Sequence, residues 1–333
     1  MQERSLKHII VGSGFGGLCF AAQLKLKGEH DFVILEKARS IGGTWRENIY
    51  PGAECDVPSS LYSYSFFKNP DWPQKWSGQK DILKYINAFA NAHDLEKHFR
   101  FGQTVESATY ESNERRWHIK TGTDSLECRF LTFAVGQLHH PRYPEIPGIE
   151  AFAGESTHSA AWDTSIDFKG KSVAVIGSAA SAVQLIPEVA AQASKMTVYQ
   201  RSPNCCLPKN NRAYSAFEKK WFRRLPILQS LYRSSPWVQG EYGLYRMIRG
   251  NRMFSAIGEW LSKRQLRELI DDPELRRALT PDYPIGAKTN PVCNRFSKSA
   301  QSTPCGTGYR PDQRNSGQRR HCILRKRRHR KNS

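Results

Sequence analysis

Residues 8–17 read HIIVGSGFGG: an apolar run of strand character passes into Gly12, Gly14 and Gly17 in the order G-x-G-x-x-G. The first glycine permits a tight turn, the second lets a pyrophosphate approach the backbone, and the third lets helix and strand pack closely. The segment LCFAAQLKLKG that follows supplies a helix whose N-terminus faces the phosphates. The next strand, DFVILEK, ends in Glu36, nineteen residues past Gly17, where a carboxylate can accept from both ribose hydroxyls. Strand, turn, helix, strand and acid together predict a dinucleotide-binding unit at the head of an α/β fold. The unit alone does not separate FAD from NAD.

The pattern returns in residues 171–202, KSVAVIGSAASAVQLIPEVAAQASKMTVYQRS. Gly177 and Ser178 open this turn, Ser181 lies within it, and Ala179 and Ala182 take the places of the later glycines. Ala182 is an allowed variant, whereas Ala179 adds a methyl where backbone should near a pyrophosphate. No acid ends the second strand; Arg201 and Ser202 stand there. A guanidinium suits the 2′-phosphate of NADPH, which a carboxylate would repel.

Between the two turns lie GGTWRENIYPGAECDVPSSLYSYSF, residues 42–66, and FAGESTHSAAWD, residues 152–163. The first is crowded with aromatics and glycines and has the period of neither helix nor strand. On these stretches the chain resembles the flavin-dependent Baeyer–Villiger monooxygenases, whose FAD domain carries G-G-T-W, Y-P-G and C-D. The resemblance implies that Gly43, Thr44, Trp45, Tyr50, Pro51, Gly52 and Asp56 lie along the flavin. The family fingerprint F-x-G-x-x-x-H-x-x-x-W-D is matched at Phe152, Gly154, His158, Trp162 and Asp163. Its place between two domains implies a hinge-type role, with His158 coupling nicotinamide position to the flavin.

In this family NADPH reduces FAD, and the reduced flavin delivers one oxygen atom of O2 to a ketone, giving an ester or lactone. Oxidation of a soft nitrogen or sulfur centre is the alternative reading, against which His158 and Asp163 argue. The family holds the negative charge of the oxygenating flavin with an Arg from a P-I-G-C-K-R stretch, paired with the acid of C-D. This sequence reads LTPDYPIGAKTNPVCN: Asp56, Pro284, Ile285, Gly286 and Lys288 match, and Thr289 stands where the Arg should be. Among the predicted site residues Asp56 and His158 are therefore catalytic, and Lys288 is placed with the NADPH residues. Beyond Lys288 the family's remaining strands and A-T-G linker are not readable, which predicts a missing C-terminal part and an impaired oxygenase.

The expected fold is α/β, with two Rossmann-like dinucleotide-binding domains, one for FAD and one for NADPH. The expected boundaries are 1–148 for the FAD domain, 149–210 for the linker and NADPH domain, 211–283 for a helical insertion, 284–288 for a return to the NADPH domain, and 289–333 for a disordered basic tail. The insertion is rich in Trp, Tyr, Leu and Arg. Its SAIGEWLSKRQLRELI segment has apolar residues at helical spacing, so one face should pack and the other meet solvent. Such an aromatic and basic mixture can also touch a membrane surface, although helices that merely pack are commoner.

The 333 residues are 39% hydrophobic and 24% charged, a globular composition. The net charge of +19 invites a nucleic-acid reading, but residues 289–333 hold twelve Lys or Arg and one acid, so +11 of it lies in that tail. No specific nucleic-acid partner is expected; the partners implied are O2 and a small ketone. Eight Cys without paired spacing suggest reduced thiols and no metal site. No apolar run reaches the ~18 residues of a membrane span, and no signal peptide precedes the first strand, so a cytoplasmic protein is expected. Neither the ketone nor the oligomeric state is legible.

Overall fold

A computed structural model of the chain describes residues 5–137 and 140–287, together with the backbone of 305–306 and 323–324. The chain divides into two compact units. The first comprises residues 1–49, 64–69 and 79–162, and the second residues 50–63, 70–78 and 163–333. The fold is α/β, with one strand–turn–helix–strand motif in each unit.

In the first unit, β1 (Ser5–Val11) runs into α1 (Phe15–Leu26) and then β2 (Phe32–Glu36), every residue of which is buried. The short α2 (Thr44–Glu47) and the amphipathic α3 (Gln79–Ala92) follow, the latter burying Ile82, Tyr85, Ile86 and Phe89. Four further strands, β3 (Phe99–Phe101), β4 (Val105–Glu111), β5 (Arg116–Thr121) and β6 (Ser125–Phe133), complete a sheet of order β3-β2-β1-β6-β5-β4. Strands β3, β2, β1 and β6 are parallel neighbours, while β6, β5 and β4 form an antiparallel meander. Its core gathers Leu6, Ile9, Val33, Leu35, Ile119, Leu126 and Cys128. On the meander, His118 bonds Glu114 at 3.0 Å and Glu127 at 3.3 Å.

The second unit repeats the motif with β7 (Ser172–Ile176), α4 (Ala180–Ala190) and β8 (Lys195–Tyr199), the two strands pairing in parallel. Among the described residues this sheet has two strands, and Ile176 and Tyr199 at their ends are exposed. Five helices come next: α5 (Ala216–Arg224), α6 (Pro226–Gln239), α7 (Tyr245–Ile248), α8 (Arg252–Leu269) and α9 (Pro273–Ala278). Their starts are encoded locally. Ser215 and Glu218 form a reciprocal capping box on α5, Asn251 caps α8 and Asp272 caps α9.

The apolar stripe expected to pack along α8 is only partly covered. Gly258, Ser262, Gln265 and Leu266 are buried, whereas Met253, Ile257 and Trp260 are exposed. Two short strands, β9 (Cys305–Gly306) and β10 (Ile323–Leu324), pair antiparallel in the stretch read as a tail. The rest of residues 288–333, including Lys288 and Thr289, lies outside the described residues. No described helix is long and apolar enough to cross a membrane.

Candidate functional site

The first turn has the geometry its three glycines imply. Gly12 adopts φ +101°, and a Cβ there would lie 2.5 Å from the Ala134 carbonyl oxygen. A Cβ on Gly17 would lie 1.9 Å from the Gly12 carbonyl oxygen, so only glycine lets α1 approach β1 this closely. Gly14 differs: a Cβ there would meet only the Gly43 Cα, at 3.8 Å. A side chain at the second glycine would make only an ordinary van der Waals contact, so the backbone there is not crowded by its own fold, as a pyrophosphate approaching it requires. No acidic residue occupies the first turn of α1 and no side chain caps it, so the positive end of its dipole faces no anion from its own first turn.

Glu36 ends β2 as expected, at 5% exposure, and is held by the turn itself. Its Oε2 accepts from Ser13 N at 3.0 Å and Ser13 Oγ at 2.6 Å, and its Oε1 accepts from Ala38 N at 3.0 Å. Arg46 stands 3.4 Å from the same carboxylate. Burial pushes the carboxyl up, but the Ser13 and Ala38 bonds and the Arg46 charge outweigh it, so Glu36 is held below the usual carboxylate range. Of the roughly four acceptor sites of an ionised carboxylate, these three bonds leave one for a ribose hydroxyl. Close by in sequence, Gly43 takes φ +52°, Thr44 begins α2 in an exposed position, and Trp45 is buried with its carbonyl accepting from Gln79.

Residues Tyr50 to Asp56 belong to the second unit and assemble around one side chain of α4, Gln184. Gln184 Oε1 accepts from Tyr50 Oη at 2.8 Å and from Glu54 N at 3.3 Å, while its Nε2 donates to Glu54 O at 2.9 Å and to Asp56 Oδ1 at 3.1 Å. Gly52, at φ +79°, packs so closely that a Cβ would lie 2.5 Å from the Gln184 carbonyl oxygen. Burial raises the Tyr50 hydroxyl above its ordinary value. Lys209, buried at 3% exposure, pairs with Glu54 and donates to the Cys55 carbonyl at 3.4 Å. Burial lifts the Asp56 carboxyl, and Glu54 adds to that, against the pull of Lys209 and the Gln184 bond; the net direction is up. Burial pushes the neighbouring Cys55 thiol up to about 12, which removes it as a thiolate nucleophile.

Gln184 and Lys209 were not singled out in the sequence. A polar residue among Val183, Leu185, Ile186 and Val189 on a buried helix is the signal for Gln184; a lone lysine in a loop carries none.

The second turn is more open. Gly177 takes φ +109° and donates to Tyr199 O at 2.8 Å, and a Cβ there would touch nothing within 4 Å. Ala179 is the exposed N-cap of α4, with Ser181 and Ala182 in its first turn. Ser178 Oγ donates to Ser202 O at 3.2 Å, which ties the turn to the strand end where Arg201 is exposed. Further along, Ile285 is buried against Cys205 and Met247, and Gly286, at φ +91°, lies against Ile248 of α7.

The fingerprint is not drawn into one cluster. Phe152 is 64% exposed and its ring lies over Gly154, where a Cβ would come within 2.5 Å of it. His158 is half-buried; its ring lies 5.1 Å from that of Tyr143 and its Nδ1 accepts from Ala160 N at 3.1 Å. Asp163 belongs to the second unit and accepts from Ser165 N at 2.8 Å and Ser165 Oγ at 2.6 Å, bonds that hold its carboxyl below the usual range.

Comparison with known proteins bears on what these turns serve. The family model described as pyridine nucleotide-disulphide oxidoreductase matches residues 9–216, and the chain belongs to that family. It is similar to a Baeyer-Villiger monooxygenase of Streptomyces coelicolor, 41% identical over 290 residues that cover 86% of this chain and 56% of the relative. A Baeyer-Villiger monooxygenase of Pseudomonas aeruginosa is 37% identical over 293 residues, covering 86% and 54%. Among solved structures, OTEMO in complex with FAD and NADP superposes with a TM-score of 0.78 at 29% identity, covering 90% of this chain and 63% of that one. These matches bear out the family recognised in the sequence, that of the flavin-dependent Baeyer–Villiger monooxygenases. The chain spans about half the length of the curated relatives it matches.

Proposed function

We propose that the chain binds FAD at the Gly12–Gly17 turn and NADPH at the Gly177–Ala182 turn, and is a monooxygenase of Baeyer–Villiger type that reduces its flavin with NADPH but is impaired in passing oxygen to a small ketone. The observation that carries the reading is the contrast between Gly14 and Gly17: the helix is jammed against the strand end at Gly17, whereas at Gly14 an added Cβ would make no more than an ordinary contact, which leaves the backbone approachable. Bound flavin supplies the redox chemistry that no amino-acid side chain can. Around it the chain's own residues bind and orient. Glu36 would accept from the ribose, the amides following Gly14 would take the pyrophosphate, and Gly43, Thr44 and Trp45 would help to hold the flavin. Arg201 and Ser202 would read the 2′-phosphate of NADPH, Gly177, Ser178, Ala179, Ser181 and Ala182 would hold its pyrophosphate, and Lys288 would supply a further cation for the same nucleotide. Tyr50 and Asp56 are held by Gln184, and His158 couples the two nucleotides. The alternative of nitrogen or sulfur oxidation has no fingerprint of its own here, whereas His158 and Asp163 favour ketone oxidation.

Thr289 replaces the Arg that the resemblance assigns to holding negative charge during oxygen transfer. Loss of one such group costs on the order of 3 kcal/mol in the barrier, so the oxygenating step is impaired. The test is product partition with FAD-loaded protein, NADPH, O2 and a cyclic ketone. Hydrogen peroxide in place of ester or lactone is the expected outcome. Lactone formed in step with oxygen consumption would contradict the impairment, and no NADPH consumption at all would contradict the function.

A further inference from the structure

The helices between Ala216 and Leu269 present apolar side chains outward. On α6 the buried side chain is that of Gln229, whereas Ile227, Leu231 and Trp237 are 65%, 63% and 52% exposed. Tyr242, Tyr245 and Ile248 continue the exposed series through α7, and Met253, Ile257 and Trp260 carry it onto α8. Single exposed apolar residues are ordinary, but a series along consecutive helices marks a surface that meets something other than water.

Charge follows the same helices. Residues 212–269 hold twelve Lys or Arg against four Glu, a net +8, and residues 289–333 hold +11, so the rest of the chain balances to zero. Several of these cations lie on the aromatic rings themselves. The Arg246 guanidinium is 5.7 Å from the Tyr242 ring centre and 5.5 Å from that of Phe254; Arg249 is 5.7 Å from Tyr245, and Arg264 is 5.4 Å from Trp260. Positive charge and apolar surface are thus interleaved rather than segregated to opposite faces.

We propose that α5 to α8 dock peripherally on an anionic lipid surface. Apolar side chains enter the headgroup boundary, Trp and Tyr sit at its level, and the arginines meet lipid phosphates. Charge complementarity selects this occupant. A second copy would bring +8 against +8, and the basic tail would bring +11 against it, so both are repelled where an anionic bilayer is attracted. Since no described helix is long and apolar enough to cross a membrane, the attachment uses faces rather than spans.

The experiment is co-sedimentation of the full chain with phosphatidylcholine vesicles and with vesicles that also contain phosphatidylglycerol. Binding is expected to the second kind alone and to fall as salt is raised. Two variants probe the two components: I227S/L231S/M253S and R246Q/R249Q are each expected to weaken binding on the order of tenfold or more. L26S, at an exposed position of the first unit, is expected to change nothing. The arginine pair is exposed, so it tests the idea even if the apolar triple fails to fold. Equal binding to both vesicle types, binding to neither, or equal weakening by L26S would overturn the proposal. So would self-association, seen by light scattering, that the apolar triple removes while vesicles bind nothing.

Discussion

Gly14→Ala and Gly17→Ala add the same methyl group to one turn three residues apart, and the structure separates their consequences. At position 14 the backbone sits at φ −80°, ψ −171°, which alanine adopts freely, and the new Cβ meets only the Gly43 Cα at 3.8 Å. Alanine is a poorer N-cap than glycine by about 0.5–1 kcal/mol, and its lower unfolded-state entropy returns a similar amount. The fold should therefore change by less than about 1 kcal/mol, or roughly 2–4 °C in melting temperature. The methyl does stand where a pyrophosphate would lie. Overpacking of about 1–3 kcal/mol there corresponds to roughly a five- to 150-fold loss of FAD affinity, and Gly14→Val should abolish binding. At position 17 the Cβ would sit 1.9 Å from a backbone oxygen, so α1 must lift from β1 at a cost of about 3 kcal/mol or more. Thermal melts of the apo chains and titrations with FAD, followed by visible flavin absorbance, measure both effects. A folded Gly14→Ala protein with unchanged FAD affinity would refute the assignment of this turn, and a Gly17→Ala protein of undiminished stability would refute the packing argument.

Asp56→Asn keeps the bond from Gln184 and removes a buried charge. Because burial raises the folded carboxyl above its unfolded value of 3.8, the charged form is the costly one, and stability present at low pH is lost as pH rises through the folded value. The variant should therefore melt higher than the parent at pH 7 and no lower at any pH above that range; a lower melting temperature at pH 7 would count against the burial argument. Glu218 has the opposite sign: the bond from Arg212 holds it at about 2, below the 4.5 of the free side chain, so its stabilisation of α5 is full above 4.5 and lost as pH falls through about 2. Hydrogen exchange at the α5 amides checks this, and Glu218→Gln should abolish the pH dependence. Arg201→Ala should weaken NADP+ binding by about tenfold or more and leave NAD+ binding nearly unchanged, as equilibrium titration of each would reveal.

Both strand–turn–helix–strand units were legible because local chemistry dictates them. Glycines with positive φ at 12 and 177, an apolar strand before each, and helix-forming residues after each act within about thirty residues. Glu36 was legible for the same reason. The grouping of Tyr50 to Asp56 with Gln184 was not, because it joins residues about 130 positions apart through hydrogen bonds that leave no periodic trace. Nor was Lys209, a cation whose burial depends on Glu54 meeting it from a distant segment. The fingerprint stood out as spacing alone: Gly154 is explained by the Phe152 ring lying over it, but Phe152 and Asp163 are exposed and nothing in their local structure requires the pattern. On α8 the apolar period identified the helix but not which of its residues are covered, since buried Ser262 and Gln265 look like solvent-facing residues in a sequence.

The proposed function requires two nucleotide sites of different kinds to serve one redox reaction. Its most direct test is anaerobic stopped-flow mixing of the FAD-loaded chain with NADPH, followed at the visible flavin band. Saturable bleaching of the flavin by NADPH is expected, faster than by NADH at equal concentration. A chain that retains FAD but stays oxidised under saturating NADPH would contradict it.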